Sequence, residues 1–172
     1  MSQVMEVAVP VACNLVRALK TVHFSDAFQA RLSKPELGPV DAYRALFACT
    51  PVWVKALVKI RGMVAGVLGL RHGGAAGFQL APDATFEVGQ PAGMFSIRSI
   101  EPGEVIVGNN DKHLDFRISI YRSSSNNVEM VTVSTAVEIH NTMGRIYMFV
   151  IKPFHRCIAR AMVQGAIDTG RL

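Results

Sequence analysis

The sequence predicts an α+β domain in which an antiparallel sheet is closed by a long C-terminal helix. Three observations carry this. Apolar residues recur at helical spacing over 41–69 and 142–168, but alternate over 95–139. Turn signals separate the alternating runs: Pro102-Gly103, Asn109-Asn110-Asp111 and the stretch 123–127. The length, 172 residues, fits a single domain with a substantial core.

The elements follow in order. Residues 11–19 suggest a short helix, weakened by Pro10. Residues 22–32 read as a strand, with Val22, Phe24 and Phe28 as strand formers. After a turn over 33–39, residues 41–49 have helical spacing. Thr50 then stands as an N-cap with Pro51 in the first helical position, and the helix it opens ends near Gly69. Residues 71–92, rich in Gly, Ala and Pro, read as a loop with a short strand near 85–88.

Four strands come next: 95–100, 104–107, 113–121 and 128–139. They form an antiparallel meander with one buried face. Along 113–121, Leu114, Phe116, Ile118 and Ile120 share one face, and His113, Asp115, Arg117 and Ser119 share the other. Asn141 is an N-cap for a helix over 142–168. Met143, Ile146, Tyr147, Val150, Ile151, Phe154, Ile158, Ala161 and Met162 make a stripe predicted to face the sheet. Pro153 removes a backbone hydrogen bond in mid-helix and predicts a kink.

Composition excludes several classes. Half of the residues are hydrophobic and 18% are charged, which excludes disorder. The net charge is +5, but Lys and Arg are scattered, so nucleic acid is not expected as a partner. The three cysteines, Cys13, Cys49 and Cys157, lie far apart, giving neither a disulfide framework nor a zinc site. The cytoplasm is the expected location. The apolar run 7–16 lacks a basic start, follows Glu6 and contains Pro10, unlike a signal peptide. Lys55, Lys59 and Arg61 interrupt 52–70, so no integral membrane segment is expected.

Several local runs together resemble a known family. They are Pro51-x-Trp53-Val54, residues 111–117, Val133-Ser134-Thr135, His140-Asn141-x-x-Gly144-Arg145-x-Tyr147 and residues 152–156. The resemblance, over about 24–167, is to the uncharacterised domain-of-unknown-function family 2867 within the START and Bet v 1-like superfamily. It implies a helix-grip fold: a curved antiparallel sheet around a long C-terminal helix, with an apolar cavity between them. Related domains occur fused behind short-chain-dehydrogenase-like domains. None is present in this sequence, so no dinucleotide site is implied. The turn Asn109-Asn110-Asp111 carries less acid than the resemblance leads one to expect, which disfavours a cation there.

The chemistry-bearing residues admit two readings each. His113, Asp115 and Arg117 are an acid/base and anion-binding set, or an ion-pair ladder on the solvent face of the sheet. The ladder is the stronger reading. His140 and His155 border the predicted helix, and a boundary histidine satisfied by a backbone carbonyl is expected. Gly73-Gly74 beside Arg71 and His72 matches no phosphate-binding motif and reads as a loop. Ser134 has no evident base. No metal-ligand spacing and no cofactor motif occur, so neither is expected.

A cavity between sheet and helix would be lined by Trp53, Leu57, Leu114, Phe116 and Ile118. Val133, Tyr147, Ile151, Phe154 and His155 complete the set. Ordinary core packing predicts the same residues. Three functions stay open: binding of a small apolar molecule, a cyclase- or isomerase-like enzyme using the cavity, and an interaction module with a filled core. A homodimer is compatible with each.

Overall fold

The computed structural model describes residues 4–48, 52–67 and 86–172. The order is β1 (Met5–Glu6), a 3-10 turn (Leu15–Ala18), β2 (Phe24–Arg31), α1 (Pro39–Phe47), α2 (Val52–Val67), β3 (Pro91–Ala92), β4 (Phe95–Glu101), β5 (Glu104–Asn110), β6 (Leu114–Ser125), β7 (Val128–Ile139) and α3 (Thr142–Asp168). The seven strands form one open antiparallel sheet in the order β1-β2-β7-β6-β5-β4-β3. The fold class is therefore α+β, with a sheet and a C-terminal helix as the residue pattern predicts.

Strand ends differ from the sequence reading. The ladder between β6 and β7 continues to Ser125 opposite Val128. Asn126 and Asn127, with φ of 51° and 60°, close it as a two-residue turn. Positive φ at both positions matches the twist of a hairpin, and asparagine tolerates it. The serines 123–125 read as turn by composition, yet they pair as strand. Likewise β5 runs through Asn110, where a turn was predicted from Asn109. The Asn109 amide donates to the Met94 carbonyl at 2.8 Å and its side-chain oxygen accepts from Ser96 N at 3.2 Å, so this polar residue is part of the sheet. The turn is displaced to 111–113, where Asp111 Oδ1 accepts from His113 N at 3.1 Å.

Residues 86–88 form no strand, and a two-residue strand lies instead at Pro91–Ala92. The N-cap read at Thr50-Pro51, the end near Gly69 and the loop over 71–85 lie outside the described residues. The predicted helix over 11–19 is only the 3-10 turn Leu15–Ala18.

The centre of the sheet is buried on both faces, which corrects the one-sided expectation, while outward residues such as Ser25, Arg31 and Arg98 are exposed. On the inner face Phe24, Phe28, Val133, Val137, Leu114 and Ile120 are buried. There α3 packs on β2 and β7, and α1 packs on β5 and β6. The cover is thus shared between the two helices. On the outer face, the segment around the 3-10 turn packs Cys13, Leu15 and Leu19 onto Ala136 and Tyr121. Glu104, 2% exposed, fixes it by accepting from Asn14 N at 2.8 Å and from the Ser119 hydroxyl. A buried carboxylate is tolerable because both oxygens find donors.

Helix α3 begins where Asn141 Oδ1 accepts from Gly144 N at 3.1 Å, and it runs unbroken through Pro153. Its apolar stripe is wider than the arc the sheet covers. Tyr147, Met148 and Met162 are buried, whereas Ile146, Val150, Phe154 and Phe149 are exposed. Pro153 is exposed too, so it does not face the sheet as the stripe suggested. After α3, Gly170 turns the backbone with φ of 63°, and Leu172 is buried.

Candidate functional site

Between the inner face of the sheet and α3 lies an apolar cavity of about 140 Å³. The strands supply Phe24, Leu114, Phe116, Ile118, Val133, Thr135 and Val137, all from the inward-pointing alternate positions. Helix α3 supplies Tyr147, Met148, Ile151, His155, Ile158, Ala159 and Met162, spaced by three or four residues. Leu46 and Phe47 at the end of α1, with Met94 and Phe95, close one end.

Of the residues predicted to line a cavity, Leu114, Phe116, Ile118, Val133, Tyr147, Ile151 and His155 do so. Trp53 and Phe154 are 47% and 48% exposed and are not part of the lining. In both, a helical period places the residue correctly on an apolar stripe, but the stripe extends beyond the covered arc. The side chain of Leu57 lies outside the described residues.

The polar side chains of the wall are Thr135, Tyr147 and His155, and His155 is backed by a carboxylate that is not itself part of the lining. Asp26 Oδ2 lies 2.9 Å from His155 Nδ1, with the side chains 1% and 27% exposed. Asp26 is the cross-strand partner of Thr135, which is the partner of Ile118, so the three occupy one rung of the sheet. The ring of Phe24 meets the His155 ring edge-on at 6.0 Å. The other carboxylate oxygen, Oδ1, is buried without a hydrogen bond among the described residues. Bringing an acid into an apolar core is costly unless it is paired, and His155 is the pair.

Asp26 was absent from the sequence-based set, though a signal was there. Alternation along 22–32 places Asp26 between Phe24 and Phe28 on one face. An acid between two aromatics on an inward face marks a site. For His155 the expected backbone carbonyl is replaced by this carboxylate. Together the pair can hold, accept or deliver a proton at the cavity wall.

The other polar residues singled out in the sequence are placed elsewhere. None of His113, Asp115 and Arg117 lines the cavity. His113 Nδ1 lies 3.0 Å from Asn141 Oδ1, at the start of α3. Asp115 is 3.2 Å from His140 Nε2 and accepts from Asp111 N at 3.1 Å. Arg117 is buried and donates to the Phe116 carbonyl at 2.8 Å and the Asn109 carbonyl at 3.3 Å. Burial first, and then the nearby Arg98, lower the Arg117 pKa, while Asp115 and Glu138 act in the opposite direction. Each of the three is thus hydrogen-bonded or paired with a different neighbour, and Asp115 also acts on Arg117 through its charge. The Gly73-Gly74 loop with Arg71 and His72 lies outside the described residues.

Among the described residues, no group of three or more His, Cys, Asp or Glu side chains could hold a metal. Among them, no helix is long and apolar enough to cross a membrane. Cys13 is buried and Cys157 exposed, both as free thiols.

No curated protein matches the sequence. A family model does: that of the proteins of unknown function DUF2867 covers residues 18–162, including every strand of the sheet's centre and most of α3, and the protein belongs to this family.

Proposed function

We propose that the protein binds a small apolar molecule in the cavity between the sheet and α3, in a helix-grip arrangement of the START and Bet v 1-like kind. The observation that carries this reading is the cavity itself. A space of about 140 Å³ stands open in a wall made almost wholly of aliphatic and aromatic side chains. An engineered apolar cavity of about 150 Å³ stays dry and takes up benzene. An apolar guest seated against this wall gains roughly 25 cal/mol for each Å² of apolar surface it removes from water. The open volume thus favours a binding role over an interaction module with a filled core. A cytoplasmic carrier or sensor, monomeric or dimeric, fits this role.

The test is saturable uptake of a benzene-sized probe by the native protein, followed by NMR shifts of the lining residues. Ile118→Trp, which fills the space from the middle of the sheet, should abolish uptake with the fold retained. Absence of uptake by the wild type, or undiminished uptake in the Trp variant, would overturn the reading.

A second reading is favoured by the Asp26–His155 pair. A carboxylate-held imidazole at an apolar wall suits proton transfer in an isomerase- or cyclase-like reaction. Mass spectrometry of what copurifies, before and after incubation with the protein, separates binding from turnover.

A further inference from the structure

We infer that the cavity selects apolar molecules bearing one hydroxyl group, and that Nε2 of His155 accepts the hydrogen bond from it. This rests on the proposed binding role and adds the chemical class of the ligand. The argument begins at Asp26. Its carboxylate is enclosed by the sheet, with the side chain 1% exposed, and Oδ2 lies 2.9 Å from His155 Nδ1. A carboxylate accepts and does not donate, so the neutral imidazole places its proton on Nδ1. In that neutral form Nε2 is a bare lone pair. It has no partner among the described residues, and the ring that carries it is part of the cavity wall.

The rest of the wall restricts what can reach that lone pair. The ring is set by Phe24, edge-on at 6.0 Å, and by the rigid helix that carries Ile151 and Ile158 on the same arc. Thr135, on the same rung as Asp26, adds one hydroxyl to the lining and no charge. An acid would set an anion near the Asp26 carboxylate, and each polar group beyond one would have to find a partner in a wall whose only other polar side chains are Thr135 and Tyr147. A pure hydrocarbon makes no hydrogen bond to Nε2. A ring or short chain with a single hydroxyl satisfies both constraints, and about 140 Å³ accommodates one near the size of a substituted benzene.

The experiment compares p-cresol with p-xylene, which match in shape and differ by hydroxyl against methyl. Both are titrated by calorimetry or NMR into the wild type, His155→Phe and His155→Gln. The Phe variant keeps a ring beside Phe24, and the Gln variant keeps an acceptor oxygen. The preference for p-cresol over p-xylene should fall by about tenfold in His155→Phe, the size of one net hydrogen bond. It should be partly restored in His155→Gln, with p-xylene affinity changed less than about threefold in each. Binding of p-xylene with an unchanged cresol preference in His155→Phe would overturn the hydroxyl assignment alone. Failure of both probes to bind the wild type would overturn the cavity reading as well.

Discussion

The backbone carbonyl of His113 occupies the place where a side chain at Gly144 would begin. The first turn of α3 thus lies directly on the β5–β6 turn region, and the same carbonyl accepts from His140 N at 2.9 Å. Gly144→Ala gains about 1 kcal/mol in helix propensity. It also forces the two segments apart, and overpacking costs about 1–3 kcal/mol. The carbonyl is backbone, held by its own hydrogen bond, so it yields poorly. A net loss of up to about 2 kcal/mol is expected in denaturant titration. A variant as stable as the wild type would show that the helix start can slide.

Pro153 lies on the exposed side of α3, so its ring makes little contact that a replacement would forfeit. Its cost is local: a missing N–H and a clash with the carbonyl of Phe149. Pro153→Ala should raise stability by about 1–3 kcal/mol. Thermal melting checks this. A lower melting temperature would mean that the proline sets a bend on which packing depends.

Tyr43, 1% exposed, donates to the Ala92 carbonyl at 2.8 Å, and burial holds its phenol well above the ordinary range. The folded protein therefore keeps the proton that the unfolded chain releases near pH 10. The Tyr43 contribution is full below that pH and declines as pH rises through it towards the folded value. Tyr43→Phe should cost about 1 kcal/mol at neutral pH through the unmet carbonyl. It should also flatten the alkaline fall in stability, measured by urea titration from pH 8 to 11. An unchanged alkaline slope would count against Tyr43 as its source.

Burial raises the Cys13 thiol pKa, backbone hydrogen bonding at Leu15 lowers it, and Glu104 raises it again. Alkylation of the native protein should therefore modify Cys157 well before Cys13. Glu104→Ala deprives Asn14 N and the Ser119 hydroxyl of their acceptor. It should loosen the segment around the 3-10 turn and speed Cys13 labelling by about 5- to 150-fold, as expected for a loss of 1–3 kcal/mol. Site-resolved mass spectrometry reads both thiols. Equal labelling rates at Cys13 in the two proteins would show that Glu104 does not hold the segment.

Much of the framework was legible. The strand Val128–Ile139 and the helix Thr142–Asp168 have the bounds that alternation, helical spacing and the Asn141 cap imply. These signals are local: a strand needs only its neighbours' pattern, and a helix start needs only its capping residue three positions before Gly144. Ser123–Ser125 and Asn109-Asn110 misled because turn-forming composition was outweighed by pairing with a partner strand, which is not local. Asp26 was legible in principle as an acid in an apolar alternation, but its role depended on a residue 129 positions away.

The sequence by itself therefore determined the α+β class, the meander, the inward positions Leu114, Phe116, Ile118 and Val133, and the family. Each follows from the order of nearby residues, where periodicity decides what can be buried. Only the tertiary structure decided which part of the α3 stripe is covered, leaving Phe154 outside and His155 within. It alone placed the 3-10 segment over the outer face, beside the buried Ser119, and buried Arg117 against the Asn109 and Phe116 carbonyls. It alone joined Asp26 to His155. The physical reason is common to all three. A hydrophobic pattern states that a face must be buried, but the width of the contact and the partner of a buried charge are set when distant segments meet.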